Sequence, residues 1–305
     1  TQGSAPLVGR RDELECLLAR LDDVAQRGTG GLVLLTGDAG VGKTRLLREF
    51  ERLAREHGCG VAFGRYLRDD LSPYHGWSEA LYPHMQAIVS KGLPPELLHY
   101  HAELAQLFPD LLTESETPDA ANGTRGAESV GLFDCVVDLV RRLAAPRPLL
   151  LVIEDVQWAG GMRLLSHVAR RLHDLPLLVV CTARDPDFQD NPAALQQWAE
   201  LDRTRLGIPL RLSGLSEPET AAILTHFFGA TAAGEIAGAV FERTRGNPFF
   251  IEEVARALVE SGSVSWEGDR WVVDEIARIR IPTSVRLTIK ERIDRLGEPY
   301  GEVLG

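Results

Sequence analysis

Lysine is scarce in this chain. Only Lys43, Lys91 and Lys290 stand among 33 basic residues, against 44 acidic ones. The net charge of −11 and the isoelectric point near 5.3 argue against an overall field that draws nucleic acid. Cysteine is sparse and scattered: Cys16, Cys59, Cys135 and Cys181 form no C-x-x-C pair. That pattern argues against a zinc ribbon or a redox dithiol and fits reduced, buried thiols. The histidines offer no metal site. His99 and His101 are two apart and share no helix face, and His84, His167, His173 and His226 lack paired spacing. No Ser/His/Asp or Cys/His pattern stands out, and no internal repeat is evident. No apolar run approaches the roughly 20 residues of a membrane span, and no N-terminal signal pattern is present. A cytoplasmic protein without membrane contact is the expectation.

What is present is an ordinary globular composition, 44% apolar and 25% charged over 305 residues. That supports a full core and about two domains. The opening Thr1 and the trailing stretch Leu296 to Gly305 suggest a segment of a longer chain. Apolar spacing at Leu14, Leu17, Leu18 and Leu21 predicts a helix over 11–26, and a second is expected over 43–57. Strands are expected at 32–36, 60–64, 149–153, 177–182 and, as an edge, 208–212, where Pro209 lacks a donor. The run Leu149 to Ile153 is apolar throughout, as a strand buried on both faces requires. Strands alternating with helices imply βαβ units and a five-stranded parallel sheet in an α/β fold. Residues 66–145 read as a mostly helical insert, and 113–127 as a mobile loop.

The pattern changes after residue 213. Ser216-Glu217-Pro218-Glu219 reads as a capping box, and helices near 217–228, 232–244 and 248–261 suggest a helical lid. A hairpin over 263–273 follows, with Trp266 and Trp271 expected to clasp it onto the helices. Pro282 opens a last amphipathic helix. The divisions are therefore 1–212, 213–279 and 280–305.

The chemistry centres on Gly37-Asp38-Ala39-Gly40-Val41-Gly42-Lys43-Thr44, which reads G-x-x-x-x-G-K-T between a strand and a helix. The glycines let backbone N–H groups turn around phosphate oxygens, and the helix N-terminus adds its positive end. Lys43 reaches the β/γ-phosphates and the Thr44 hydroxyl ligates Mg²⁺ in such a loop. Arg45 follows directly and belongs to the same nucleotide-binding stretch.

Glu154 and Asp155 end a central strand, where ligands of open α/β sheets bind. One can hold Mg²⁺ and the other orient and deprotonate a water; which does which stays open. Thr182-Ala183-Arg184 ends the next strand, where Arg184 can tell ATP from ADP. The Gly246-Asn247-Pro248-Phe249-Phe250 stretch reads by spacing as a left-handed turn opening a helix.

Together these residues resemble the STAND class of P-loop ATPases, in particular the ATPase module of large ATP-binding LuxR-type regulators. The likeness covers nearly the whole chain. Leu7-Val8-Gly9-Arg10-Arg11-Asp12-Glu13-Leu14 resembles the family's opening, and Leu151 to Ala159 its extended Walker B block. Thr182-Ala183-Arg184 is similar to its sensor, and Gly246 to Glu253 to its GNPF block. The resemblance implies that Val8 and Gly9 line an adenine pocket with Arg10 close by. It further implies that Pro248 packs on adenine from the lid, that Arg184 senses the γ-phosphate, and that 280–305 begins a winged helix. Two departures stand out: Gly160 where the family often has Asp, and Glu154 where many P-loop proteins use the shorter Asp.

The expectation is a slow ATPase switch, using ATP/ADP and Mg²⁺, closed with ADP and assembling with itself when ATP opens the lid. Sensor and DNA-binding regions would lie elsewhere in the longer chain, and this segment itself would not touch nucleic acid. The alternatives are a nucleotide-binding scaffold with negligible turnover, an AAA+-like ATPase acting on DNA, and a small-molecule phosphotransferase. The acidic balance disfavours the DNA reading, and no acceptor site supports the phosphotransferase.

Overall fold

The computed structural model describes residues 7–67, 72–112, 128–158 and 161–274. The loop expected at 113–127, the pair Ala159-Gly160, the helix opened by Pro282 and the winged-helix start at 280–305 lie outside them. The described residues form two compact units, one drawn from 14–36 and 47–211, the other from 7–13, 37–46 and 212–274.

The first unit holds a five-stranded sheet. Its strands are β1 (Gly31–Gly37), β2 (Gly60–Arg65), β3 (Leu149–Glu154), β4 (Leu177–Arg184) and β5 (Gly207–Arg211), in the order β2-β3-β4-β1-β5. The pairs β2–β3, β3–β4 and β1–β5 are parallel. All six residues of β3 are buried, as are all of β4 but Arg184. Their continuous apolar runs follow from burial on both faces. Pro209 sits opposite Leu34 on the edge strand, where a missing donor does no harm.

Around this sheet run α1 (Arg11–Arg27), α2 (Lys43–Glu56), α3 (His75–Val89), α4 (Pro95–Leu98), α5 (His101–Leu107) and α6 (Glu128–Ala144). Helices α7 (Gly161–Ala169), α8 (Asp185–Gln189) and α9 (Pro192–Arg203) complete the unit. Helix α7 stops at Ala169, and a short 3-10 turn takes Leu172–Asp174. Helix α9 is an addition to the expected elements. Asn191 caps it by accepting from the Ala194 N–H at 3.1 Å, and Pro192 fills its first turn. β2 and α3 approach so closely that a Cβ on Gly64 would lie 1.9 Å from the Gly76 carbonyl.

The second unit contains α10 (Glu217–Thr244), α11 (Pro248–Glu260) and the antiparallel pair β6 (Val264–Glu267) and β7 (Arg270–Val273). Gly229, at φ 73 and ψ 166, breaks α10, so the two expected helices are halves of one kinked element. By length and a mean hydropathy of 1.2 over 18 residues, α10 passes the test for a membrane-crossing helix. Its apolar residues Ile223, Leu224, Phe228, Ile236 and Val240 are instead buried in this unit's own core. The Glu219 carboxylate reaches back to the Ser216 N–H and hydroxyl, both at 2.7 Å, and so starts the helix. Trp271 packs edge-on against Phe228 at 5.3 Å. Trp266 meets Trp271 edge-on but stays 58% exposed, so only one of the two indoles clasps the hairpin.

Candidate functional site

β1 delivers the chain into the glycine loop at Gly37. Beyond the loop, α2 begins at Lys43. Lys43 is buried and folds back, its Nζ donating to the Gly37 carbonyl (2.6 Å) and the Asp38 carbonyl (3.0 Å). Gly42 accepts from the Leu46 N–H at 2.9 Å, the first turn of the helix.

Elements of the same unit reach the next three loop residues. Asn247 Nδ2 donates to the Ala39 carbonyl at 2.9 Å. The Phe249 N–H is shared between Asn247 Oδ1 (3.1 Å) and the Gly40 carbonyl (3.4 Å). The Arg10 guanidinium donates through Nη2 to the Val41 carbonyl (3.0 Å) and the Ser213 carbonyl (2.7 Å), and through Nη1 to Glu13 (3.2 Å). Arg10 is only 5% exposed, and these bonds offset the desolvation of its charge. Arg45 pairs with Glu252 of α11 at 3.4 Å.

Two glycines are demanded by this arrangement. Gly40 has φ 76, and a Cβ there would lie 2.7 Å from Phe249 Cβ. Gly246 has φ 73, and its Cβ would lie 1.8 Å from the Leu215 carbonyl. The unit also carries an open cleft of 520 Å³ whose lining includes Gly9, Arg10, Ser213, Leu215, Glu219 and Arg245. Val8 packs on the apolar core of α10 and α11.

In the sheet unit, β3 and β4 run side by side with Ile153 opposite Cys181, and β4 continues past the end of β3 to Arg184. Glu154 is 2% exposed, and its Oε2 accepts from Arg65 Nε at 2.9 Å and also from Arg65 Nη2. Arg65 stands opposite Glu154 in the β2–β3 register. The paired carboxylate raises the Arg65 pKa against the opposing effect of burial. Asp155 adopts a left-handed backbone at φ 57. Its N–H is held by the Thr182 hydroxyl at 3.0 Å, and its Oδ2 faces Arg184 at 3.3 Å.

The loop 37–44 is thus joined by Arg10, Asn247 and Phe249, and Arg45 by Glu252, while Glu154, Asp155 and Arg184 gather at the ends of β3 and β4. Two participants were not read from the sequence. Arg65 has no motif around it and is reached only through strand register. Asn247 was read as part of a turn, and its amide gave no separate signal.

A parallel sheet with β1 opening into a G-x-x-x-x-G-K-T loop, and two carboxylates ending a nearby strand, defines the class of P-loop α/β ATPase folds. Residues 6–180 match the AAA ATPase domain, more than half of the chain, and the chain belongs to that family. An uncharacterized protein of Rhizobium meliloti (strain 1021) is 28% identical over 319 residues. That alignment covers 96% of this chain and 28% of the relative, so the chain spans little more than a quarter of the curated relative's length.

Among solved structures, the Aeropyrum pernix ORC2 protein, in ADPNP–ADP complexes, is similar with a TM-score of 0.54 and 16% identity, covering 95% of this chain and 70% of that one. The Aeropyrum pernix ORC1 protein in complex with DNA gives 0.52 and 17%, covering 96% and 69%. At these identities the likeness is one of fold. A STAND protein with a tetratricopeptide repeat sensor from Pyrococcus horikoshii aligns at 15% identity, covering 98% of this chain and 47% of that one. Its TM-score of 0.42 is too loose to argue from.

Proposed function

We propose that this chain is the ATP-binding and slowly hydrolysing module of a STAND-type switch within a longer cytoplasmic regulator of the LuxR type. The observation that carries the reading is the phosphate loop itself, with Lys43 folded over its carbonyls and the 247–249 turn bonded to its backbone. A loop held from outside in this way suits a nucleotide that is read as well as bound. Residues 37–45 would hold the phosphates, with Val8, Gly9, Arg10 and Pro248 toward the base.

Mg²⁺ fits the donors that the motif offers. It takes one or two carboxylates, a hydroxyl and the phosphates of its nucleotide rather than an all-protein cage. Among the described residues no group of three or more His, Cys, Asp or Glu forms such a cage. Thr44 with Glu154 or Asp155 would hold the ion, which when bound neutralises charge on the β- and γ-oxygens.

Hydrolysis needs a base for water. Glu154 is gripped by Arg65 at two nitrogens, while Asp155 meets Arg184 in one longer bond. This favours Asp155 as the group that takes the water proton as the oxygen bonds to the γ-phosphorus and the β–γ bridge breaks. Arg184 would exchange Asp155 for the γ-phosphate when ATP is bound, and so report which nucleotide is present. ADP would hold the closed state and ATP an open one that assembles with further copies.

The scaffold reading keeps one observation in its favour: both carboxylates already carry an arginine partner. Steady-state phosphate release with Mg²⁺ separates the two. Asp155→Asn is expected to bind ATP normally and to lose turnover by at least about a hundredfold. Wild-type protein that binds ATP yet releases no phosphate above blank would favour the scaffold.

A further inference from the structure

Five consecutive carbonyls of the phosphate loop, Gly37 to Val41, each accept a hydrogen bond. Lys43 takes the first two, Asn247 the third, the Phe249 N–H the fourth and Arg10 the fifth. The last three donors lie outside the loop motif, two of them in the 247–249 turn. In a trans peptide the carbonyl of one residue points opposite to the N–H of the next. Each carbonyl held by its donor, on Ala39, Gly40 and Val41, therefore fixes the following amide, of Gly40, Val41 and Gly42, in the opposite direction. Those are amides that a phosphate-binding loop presents to an anion. The Val41 N–H reaches the Asp38 carbonyl at 3.3 Å and the Phe249 N–H reaches Gly40 at 3.4 Å, both long, so the firm holds from outside the motif are Asn247 on Ala39 (2.9 Å) and Arg10 on Val41 (3.0 Å).

We propose that Asn247 is a positioning residue for nucleotide phosphate. With the Phe249 N–H and Arg10 it holds the peptide planes of the loop in their anion-binding orientation, and it does so only while the 247–249 turn is docked. The claim rests on the nucleotide reading above and deepens it. It makes phosphate affinity depend on the lid segment and, by linkage, makes phosphate binding stabilise the docked lid. Asn247 has two separable jobs. Its Oδ1 caps α11 by accepting from Phe249, and its Nδ2 holds Ala39. Serine retains an N-cap acceptor but has no amide to offer the loop.

The experiment compares wild type with Asn247→Ser for binding of ADP and of adenosine, alongside the melting midpoint of the nucleotide-free protein. ADP affinity is expected to fall about five- to tenfold, the scale of one lost hydrogen bond. Adenosine, with no phosphate, should bind as to wild type, and the nucleotide-free midpoint should move by no more than about 2 °C. Asn247→Asp keeps the cap and sets a carboxylate against the Ala39 carbonyl, and should lose more ADP affinity than serine does. It carries the test should the serine variant not fold. Unchanged ADP affinity would overturn the proposal. So would equal losses for ADP and adenosine, or a loss of affinity that merely follows a loss of stability. Wild type failing to bind ADP would remove the nucleotide reading itself, a different and distinguishable result.

Discussion

Two neighbouring carboxylates at the end of β3 meet two different arginines. Glu154 is buried and doubly held by Arg65, while Asp155 is turned out by its left-handed backbone toward Arg184. Sequence placed both acids at a strand end but could not separate them. The separation depends on Arg65, 89 residues earlier and visible only once β2 and β3 are in register. Cys59, Cys135 and Cys181 were easier to place, because isolated thiols in apolar runs are usually core residues, whereas Cys16 is only half-buried. Burial raises the Cys59 and Cys181 thiols and pushes Cys135 up to about 12. Burial and the Asp138 carboxylate likewise push Tyr100 to about 12. A raised folded pKa means that the folded chain keeps protons which the unfolded chain releases. That contribution is complete below the unfolded thiol value, about pH 8.5 to 9, and is lost as pH rises toward the folded values. The urea midpoint should therefore fall between pH 8 and pH 10.5, and less steeply for Cys181→Ala. A flat profile over that interval would contradict the burial of these groups.

At the scale of elements, legibility followed hydrophobic pattern. β3 and β4 were plain because continuous apolar runs leave few alternatives. α9 escaped because its signal is local, an Asn191-Pro192 start with only Ala194 and Leu201 buried along its length. The break in α10 was read as a gap between helices, since a glycine cannot reveal from sequence whether the chain turns away or merely kinks. The packing of α3 on β2 was invisible as well. It depends on Gly64 bringing the strand against the Gly76 backbone. Gly64→Ala is expected to destabilise the sheet unit by roughly 1–3 kcal/mol, the usual cost of overpacking. Urea unfolding would read this as a lower midpoint at constant slope, and an unchanged midpoint would mean that the helix shifts freely.

For the whole molecule, the phosphate loop belongs to the compact unit of residues 212–274 rather than to that of the sheet whose first strand leads into it. Sequence order alone suggests the reverse, because the loop continues β1 directly. The motif was legible residue by residue, whereas the donors that hold its carbonyls came from nearly 30 residues before it and over 200 after it. Calorimetric titration of ADP with Mg²⁺ into wild type and Lys43→Ala asks whether this loop binds nucleotide phosphate through Lys43. Wild type should bind with a micromolar or tighter Kd, and the alanine variant should lose at least about a hundredfold in affinity while remaining folded. Equal affinities for the two proteins would contradict the assignment of the site.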